Sequence, residues 1–240
     1  MTDRVTNKDN QVCLVCGKDL VYYHDAQELT CSLCGAKETG NTTCLDGHYV
    51  CNLCHRKEGV AVAHRICLSA DSSNPVQILQ EIMDDKAVYP NGPEHHTAIG
   101  MALLAAYAHA GGSIDLPAAL DEMEKRSLQV PGGTCGYWGC CGAAASAGQY
   151  WSIVTGSTPL NEGPWEQCVR LTSRVLGHIA DVGGVRCCKR TGFIALIEAA
   201  AFTKEMQGVT MDMPERIVCT YFGRNKQCLR ARCPFFPQKG

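Results

Sequence analysis

The sequence has little surplus charge, few aromatic residues and no long hydrophobic run. It carries 22 basic and 24 acidic residues, so no overall positive field makes nucleic acid an obligatory partner, and any such contact would have to be local. The longest apolar run, residues 101–108, is far short of the ~20 residues that cross a bilayer. The polar start, residues 1–11, lacks the hydrophobic region of a signal peptide. We therefore expect a cytoplasmic protein with no membrane partner.

Cysteine, by contrast, is abundant and unevenly distributed. Of the 17 cysteines, eight fall within residues 13–67 and nine within 135–233, and none lies within 68–134. Structural disulfides rarely persist in a reducing compartment, so metal or redox chemistry is the expected use of these thiols. A chain of 240 residues has room for a small module and one conventional domain.

A polar linker separates the two cysteine-rich zones. Residues 69–75 end in Asn74-Pro75, which predicts a helix with Asn74 as N-cap and Pro75 as its first residue. We place a zinc-binding module at residues 1–70 and a cysteine-rich domain at residues 71–240. Beyond the linker, apolar residues recur at helical spacing without any alternating strand pattern, and Asp115-Leu116-Pro117 predicts a further helix start. The predicted fold is a small zinc-ribbon or cross-brace module followed by an all-α helical domain.

The first zone contains pairs of zinc ligands. A Cys-x2-Cys turn presents two thiolates on one side of a tight loop, and two such pairs complete a closed tetrahedral site with Zn–S bonds of ~2.3 Å. Three Cys-x2-Cys pairs and one Cys-x3-His pair therefore predict two zinc ions. The eight predicted ligands are Cys13, Cys16, Cys31, Cys34, Cys44, His48, Cys51 and Cys54.

The spacing of these ligands allows two pairings. Residues 31–54 resemble the first six ligands of cross-brace modules typified by RING fingers, and the resemblance implies one ion held by Cys31, Cys34, Cys51 and Cys54. The remaining ligands would then form the other site. The alternative is sequential, with a four-cysteine ribbon over residues 13–34 and a second site over 44–54. In either case the sites are closed, which favours folding and docking of a partner protein over catalysis.

The second zone places cysteines at predicted helix starts. Cys135, Cys140 and Cys141 precede a small-residue helix, and Cys187-Cys188 precede another. Helix N-termini lower thiol pKa values and favour an anionic cluster or a small anionic or thiol substrate. The tail adds Cys219, Cys228 and Cys233, the last followed by proline in a basic stretch, as is common in iron–sulfur ligation. We predict an iron–sulfur cluster held by Cys135, Cys140 or Cys141, Cys187 or Cys188, and one of Cys219, Cys228 and Cys233.

Other side chains near these segments are candidates for supporting roles. His95 and His96 begin a predicted helix and would serve as a general base or ligand, or cap the helix. Tyr137 and Trp138 would cover the site against water or anchor their loop in the core. Cys67 is expected to be a buried spare thiol.

Two short segments carry a family resemblance. Residues 139–145 and 181–190 resemble motifs of the iron–sulfur-dependent serine dehydratases and cysteine desulfidases, although that family's cysteine before Asp181 is Ala180 here. The resemblance implies a [4Fe-4S] cluster with one unliganded iron that acts as a Lewis acid in β-elimination. Residues 75–240 resemble a cysteine-rich family of anaerobic bacteria and methanogenic archaea whose C-terminal domain has no assigned function.

Three interpretations follow from these residues. The leading one is a cytoplasmic iron–sulfur protein of redox or sulfur-handling chemistry, with a β-eliminating lyase among its forms. The second is an adaptor in which zinc organises an interaction module without catalysis. The third is a cluster-free persulfide carrier that uses Cys141 or Cys188, which requires a thiol of low pKa.

Overall fold

The computed structural model describes residues 5–6, 13–85, 87–225 and 227–238. Its N-terminal part is an antiparallel sheet with strand order β1-β2-β3, formed by β1 (Val5–Thr6), β2 (Leu20–Thr30) and β3 (Lys37–Cys44). The pairing of β2 with β3 is irregular between Tyr22 and Gln27. Most side chains of β2 and β3 remain exposed or half-buried, so apolar burial alone contributes little to the stability of this sheet.

The remainder of the described chain is helical. Its α-helices are α1 (Asn52–Ser69), α2 (Pro75–Asp84), α3 (Glu94–His109), α4 (Leu116–Ser127), α5 (Thr134–Tyr137), α6 (Gly142–Thr155), α7 (Glu162–Val182) and α8 (Cys188–Gln207). Two short 3-10 helices, Phe222–Arg224 and Arg230–Arg232, lie in the tail. The prediction of a mostly helical chain with a cysteine-rich N-terminal region is thus confirmed.

Helix α3 is the central element of the core. Its sequence is rich in alanine, and Glu94 is its only acidic residue, so it is buried on nearly every side. It packs against α1, α2, α4, α6 and α8, while α7 packs against α6 and α8. Gly100 permits a close approach, because a Cβ there would lie 2.3 Å from Cε of Met123.

Two predicted helix starts are confirmed by their capping bonds. The side chain of Asn74 accepts hydrogen bonds from the backbone N–H groups of Val76 and Gln77, both at 3.0 Å, and Pro75 is the first helical residue. Asp115 caps α4 in the same way, accepting from Ala118. These local signals succeed because a cap needs only residues within one turn.

Helix α1 links the cysteine-rich segment to the helical core. It begins directly after Cys51, its N-cap, and Arg56 donates hydrogen bonds to the carbonyl groups of Ser127, Leu128 and Val130, at the end of α4. Five further α1 side chains lie in the core: Val60, Val62, Ala63, Ile66 and Cys67. The domain boundary at residue 70 stays a prediction.

The tail folds back over α2 and α8. The hydroxyl of Tyr221 donates to Asp84 Oδ1 at 2.9 Å, and the rings of Phe235 and Phe193 meet with their centroids 5.3 Å apart. The last three cysteines are thereby brought to the start of α8. Among the described residues, no helix is both long enough and apolar enough to span a membrane.

Candidate metal centres and the adjoining cavity

Four N-terminal ligands form the first tetrad. The ligand atoms of Cys13, Cys16, Cys44 and His48 all lie within 4.8 Å of one another. Cys16 Sγ is 3.7 Å from Cys44 Sγ, which is 3.4 Å from His48 Nδ1. These separations are close to the roughly 3.8 Å edge of a tetrahedron with metal–sulfur bonds of ~2.3 Å. The tetrad could therefore bind a metal ion.

The second tetrad has the same dimensions. Cys31, Cys34, Cys51 and Cys54 also have their sulfur atoms within 4.8 Å of one another, and Cys34 Sγ lies 3.6 Å from Cys51 Sγ. Cys51 and Cys54 belong to the start of α1. A metal ion here would join the sheet to the first turn of that helix.

Local turns and strand pairing together produce the two tetrads. The N–H group of Gly17 donates to Cys13 O and that of Gly35 to Cys31 O; both glycines have φ near +70°, where a side chain would be strained. Strand β2 separates these two turns, and β3 returns the chain so that Cys44 lies beside the first turn. The structure therefore groups the ligands in the interleaved manner and not sequentially.

The thiol groups within each tetrad differ in acidity. Burial opposes ionisation of Cys31, but backbone N–H groups of Cys51, Cys34 and Leu33 outweigh it and lower the pKa of Cys31 to about 6. The hydrogen bond with Cys34, together with burial, raises the pKa of Cys54 to about 12. Neighbouring sulfurs at this distance do not all ionise unless a cation compensates their charge. A divalent ion would allow all four ligands to bind.

A third group of cysteines surrounds a small apolar cavity of about 20 Å³. Its thiols come from the start of α8 and from the tail: Cys187, Cys219, Cys228 and Cys233. Burial, together with negative charge on the other three thiols, raises the pKa of Cys219 to about 11. In contrast to the two tetrads, no three of these four sulfur atoms lie within 4.8 Å of one another. The cavity is also walled by Phe193, Phe222, Phe235 and Phe236.

Two buried cations lie beside this four-cysteine group. Arg190 is 4% exposed; one of its terminal nitrogens donates to Val185 O, whereas its Nε has no hydrogen-bond partner among the described residues. Lys189, also 4% exposed, donates to Tyr89 O at 3.0 Å. Burial lowers the pKa of Lys189 to about 8, against the opposing influence of neighbouring anionic groups. Buried, incompletely paired cations favour a negative charge between the four cysteines.

The other predicted cluster ligands lie elsewhere. Cys135, Cys141 and Cys188 line a larger cavity of about 650 Å³, whereas Cys140 lines neither cavity. Cys187 contributes to the walls of both. The structure thus brings Cys187 together with all three tail cysteines.

The predicted helix starts are confirmed, but the predicted low pKa is wrong for Cys141 and Cys188. Helix α6 begins after Cys141 and α8 after Cys187, as expected. Burial raises the pKa of Cys141 despite the N–H groups of Ala143 and Ala144, and it raises the pKa of Cys188 to about 12. Loss of hydration outweighs the helix end here.

A buried chain of polar groups runs between the two cavities. Glu94 is 1% exposed, and its Oε1 lies 3.2 Å from His95 Nδ1. The Nε2 of His95 lies 2.7 Å from Lys189 Nζ, which donates to it. Sequence reasoning identified His95 but missed the role of its neighbour Glu94. It also missed Lys189, because a contact across 94 residues has no local signal.

The remaining candidates occupy the cavity rim or the surface. His96 lines the larger cavity, and burial lowers its pKa to about 4. Tyr137 is 85% exposed and Trp138 is 67% exposed. Neither ring therefore anchors its loop in the core. Tyr137 contributes to the wall of the larger cavity. Cys67 is fully buried, as predicted.

Fold and site together define a mostly helical protein with two cysteine-rich tetrads that could bind metal ions. Residues 63–236 match a family of unknown function, DUF5714. Because this match covers more than half of the sequence, the chain belongs to that family. The matched segment begins within α1 and includes the four-cysteine group, whereas both tetrads precede it. No curated protein and no solved structure gives a significant match.

Proposed function

We propose that this chain is an iron–sulfur protein of the redox class, with a [4Fe-4S] cluster held by Cys187, Cys219, Cys228 and Cys233. The observation that carries the proposal is that four thiols from two separate segments lie together with two buried cations beside them. The space between the thiols, about 20 Å³, would have to widen to hold a cluster. Two zinc ions would occupy the N-terminal tetrads. This assignment replaces two of the four ligands expected from sequence, Cys135 and Cys140 or Cys141, with the other two tail cysteines.

The spacing of the four thiols favours a cluster over a single zinc ion. In one tetrahedral zinc site the ligand atoms lie within about 4 Å of one another, and in both tetrads they all lie within 4.8 Å. A cluster attaches each thiolate to a different iron and therefore needs a wider arrangement. The wider separation at Cys187 and the tail is consistent with the cluster.

The environment suits an anionic cluster. Four thiolates give a cluster a net negative charge, which buried cations offset, and hydrogen bonds to sulfur tune its potential. Lys189 and Arg190 supply the positive charge, and the N–H group of Arg230 donates to Cys228 Sγ at 3.4 Å. The phenylalanine walls limit access of water. These features support a resident cluster.

Four cysteine ligands favour electron transfer over β-elimination. A Lewis-acid cluster needs one iron without a protein ligand, whereas a full set of four thiolates occupies all four irons. We therefore propose redox chemistry and set aside the lyase that the dehydratase resemblance implied. The persulfide alternative is also less favoured, because burial raises the pKa of Cys141 and Cys188 and protonated thiols are poor nucleophiles.

The N-terminal module is proposed to dock a protein partner. Each of the four ligand pairs has an exposed leucine beside it or between its two members. These leucines are Leu14, Leu33, Leu45 and Leu53, which are 43–58% exposed. Leucines held in fixed positions around closed zinc sites provide an apolar contact surface. The exposure of these leucines is the observation that favours docking of a partner protein on the N-terminal module. The redox function is proposed for the helical part.

Metal analysis of anaerobically purified protein tests the cluster. We expect about four iron, about four acid-labile sulfide and about two zinc per chain, with visible charge-transfer absorption. The Cys228→Ser variant should lose most of the iron and keep both zinc ions, because its thiol is a cluster ligand. The matched control Cys140→Ser should retain iron and zinc, since Cys140 lines neither cavity. Zinc without iron in the unmodified protein would contradict the proposal.

A further inference from the structure

A wide groove lies between α6 and α7 on the surface of the helical part. Residues of both helices line it, together with short segments around Gly136, Ser157 and Val185. Its volume of about 1420 Å³ exceeds the roughly 300–1,000 Å³ typical of small-molecule sites. None of the ligands proposed for zinc or for the cluster lines this groove. The groove is therefore separate from the metal centres.

Helix α7 forms one wall of the groove and is only partly covered by the rest of the chain. It packs against α6 and α8, yet Leu171 and Val175 are the buried side chains among its 21 residues. Trp165 and Val169, one turn apart, line the groove and are half exposed. An amphipathic helix of this kind has an apolar stripe that another surface is expected to cover.

The most exposed large apolar side chains of the described chain surround the same groove. Leu160, Tyr137, Trp138 and Val185 are 95%, 85%, 67% and 60% exposed, and no other large apolar residue that the structure describes exceeds 58%. Val185 lines the groove, and the other three are sequence neighbours of residues that line it. Soluble monomers rarely expose contiguous apolar patches of this kind, so the groove and its rim have the character of a protein interface.

We propose that a second copy of this chain covers the groove, with the two α7 helices antiparallel about a two-fold axis near Ser173. A two-fold interface uses the same surface on both subunits, so that surface must present a protrusion as well as a depression. The four exposed side chains at the rim are protrusions beside a depression, the groove. The shape of this surface therefore fits a copy of itself.

The two halves of α7 are complementary in side-chain size. In an antiparallel pair centred on Ser173, the N-terminal half of one helix meets the C-terminal half of the other. The N-terminal half presents Trp165 and Val169 to the groove, whereas the C-terminal half presents Gly177 and Ala180. A Cβ at Gly177 would meet no atom within 4 Å, so there is space above this glycine. Val169 of the second copy would occupy that space.

The charges are complementary in the same antiparallel sense. Glu162 and Glu166 lie at the start of α7, whereas the charged residues that line the groove are all arginines, with Arg186 just beyond the end of α7. Asp181, also near that end, does not line the groove. No ion pair among the described residues uses Glu162 or Arg186. Antiparallel packing brings Glu162 of each copy toward Arg186 of the other.

Analytical ultracentrifugation of the metal-loaded, anaerobically purified protein tests the dimer. We expect a mass of twice the 26.0 kDa of one chain. Gly177→Arg should raise the dissociation constant about 30-fold or more, the loss expected near the centre of a packed interface. The single chain has room for this arginine, so the fold should persist. The control Ala201→Arg adds the same side chain at an exposed position of α8 outside the groove and should remain dimeric.

A charge exchange tests the antiparallel arrangement. Glu162→Arg and Arg186→Glu should each weaken the dimer, because each variant places like charges opposite one another. An equimolar mixture of the two should form heterodimers, since both contacts are then between opposite charges. Iron and zinc are measured in each variant, because Arg186 precedes the proposed cluster ligand Cys187 and loss of metal would be distinguishable from loss of the dimer.

Three results would overturn the proposal. The first is a monomeric parent protein, including one whose groove retains a lipid or peptide in native mass spectrometry. The second is a dimer that Gly177→Arg leaves intact, which would place the interface elsewhere, for example on the exposed leucines of the N-terminal module. The third is a mixture of the two charge variants that forms no heterodimer. None of these results depends on whether the protein holds an iron–sulfur cluster.

Discussion

At the scale of single residues, the balance between burial and hydrogen bonding decides what each thiol can do. Cys31 is buried, yet backbone N–H groups lower its pKa to about 6 and prepare it for metal binding. Cys188 begins a helix, yet burial raises its pKa to about 12. Position at a helix start is therefore insufficient to identify a reactive cysteine.

Cys67 allows a direct test of this balance. Its side chain is fully buried in the core, and burial raises its pKa far above the ordinary value. Because the folded state favours the protonated thiol, the stability that this group contributes is complete below the ordinary pKa and is lost as pH rises above it. We expect a loss of about 1.4 kcal/mol per pH unit above roughly pH 9.

The measurement is urea unfolding of the metal-loaded protein and of Cys67→Ala at pH 8, 9 and 10. Alanine does not titrate, so the variant should be less stable at pH 8 through its cavity but should lose stability less steeply with pH. Other titrating groups are common to both proteins and cancel in the difference. Parallel pH profiles would show that Cys67 ionises equally easily in the folded and unfolded states.

At the scale of elements, local sequence signals correctly predicted where several helices begin. Asn74-Pro75 and Asp115 marked the starts of α2 and α4, and the glycine-rich segments before residues 142 and 188 marked α6 and α8. These predictions depend on side chains and backbone groups within one turn. The helical content could therefore be predicted from the sequence.

The cap of α2 is expected to make a measurable contribution to stability. Asn74 accepts two backbone hydrogen bonds at 3.0 Å, and Asn74→Ala leaves both N–H groups without that partner. We expect a loss of about 1 kcal/mol in the free energy of unfolding. Asn74→Asp keeps the acceptor oxygen and should retain most of this stability. If both variants unfold at the same urea concentration as the parent, the cap contributes nothing measurable.

At the scale of the whole molecule, α1 connects the second tetrad to the helical core. Cys51 and Cys54 lie at its start, while its later residues pack against α3. Arg56 additionally binds three carbonyl groups at the end of α4. Most side chains of the sheet are exposed or half-buried, whereas the helical core has extensive apolar burial of its own, so a metal ion in the tetrads would stabilise the sheet more than the core.

Loss of one tetrad should therefore unfold the module without unfolding the core. We expect Cys34→Ser to bind about one zinc ion in place of two and to lose several kcal/mol of local stability. Hydrogen exchange should accelerate in residues 20–54, while α3 remains protected. The matched control Cys168→Ser should keep both zinc ions and the original exchange pattern, because Cys168 lies on α7 away from the tetrads. Unchanged protection of the module in Cys34→Ser would contradict a metal-dependent fold.

The sequence by itself determined the ligand types, the turns that pair them and the starts of the helices, because each depends on neighbouring residues. Only the tertiary structure decided which pairs meet. Antiparallel pairing of β2 with β3 interleaves the N-terminal ligands, and the returning tail places Cys219, Cys228 and Cys233 beside Cys187 and away from Cys135 and Cys141. Burial also raises the pKa of Cys141 and Cys188, although their positions at helix starts predicted lower values. The spacing of neighbouring residues does not reveal contacts between distant segments or the loss of water that accompanies them.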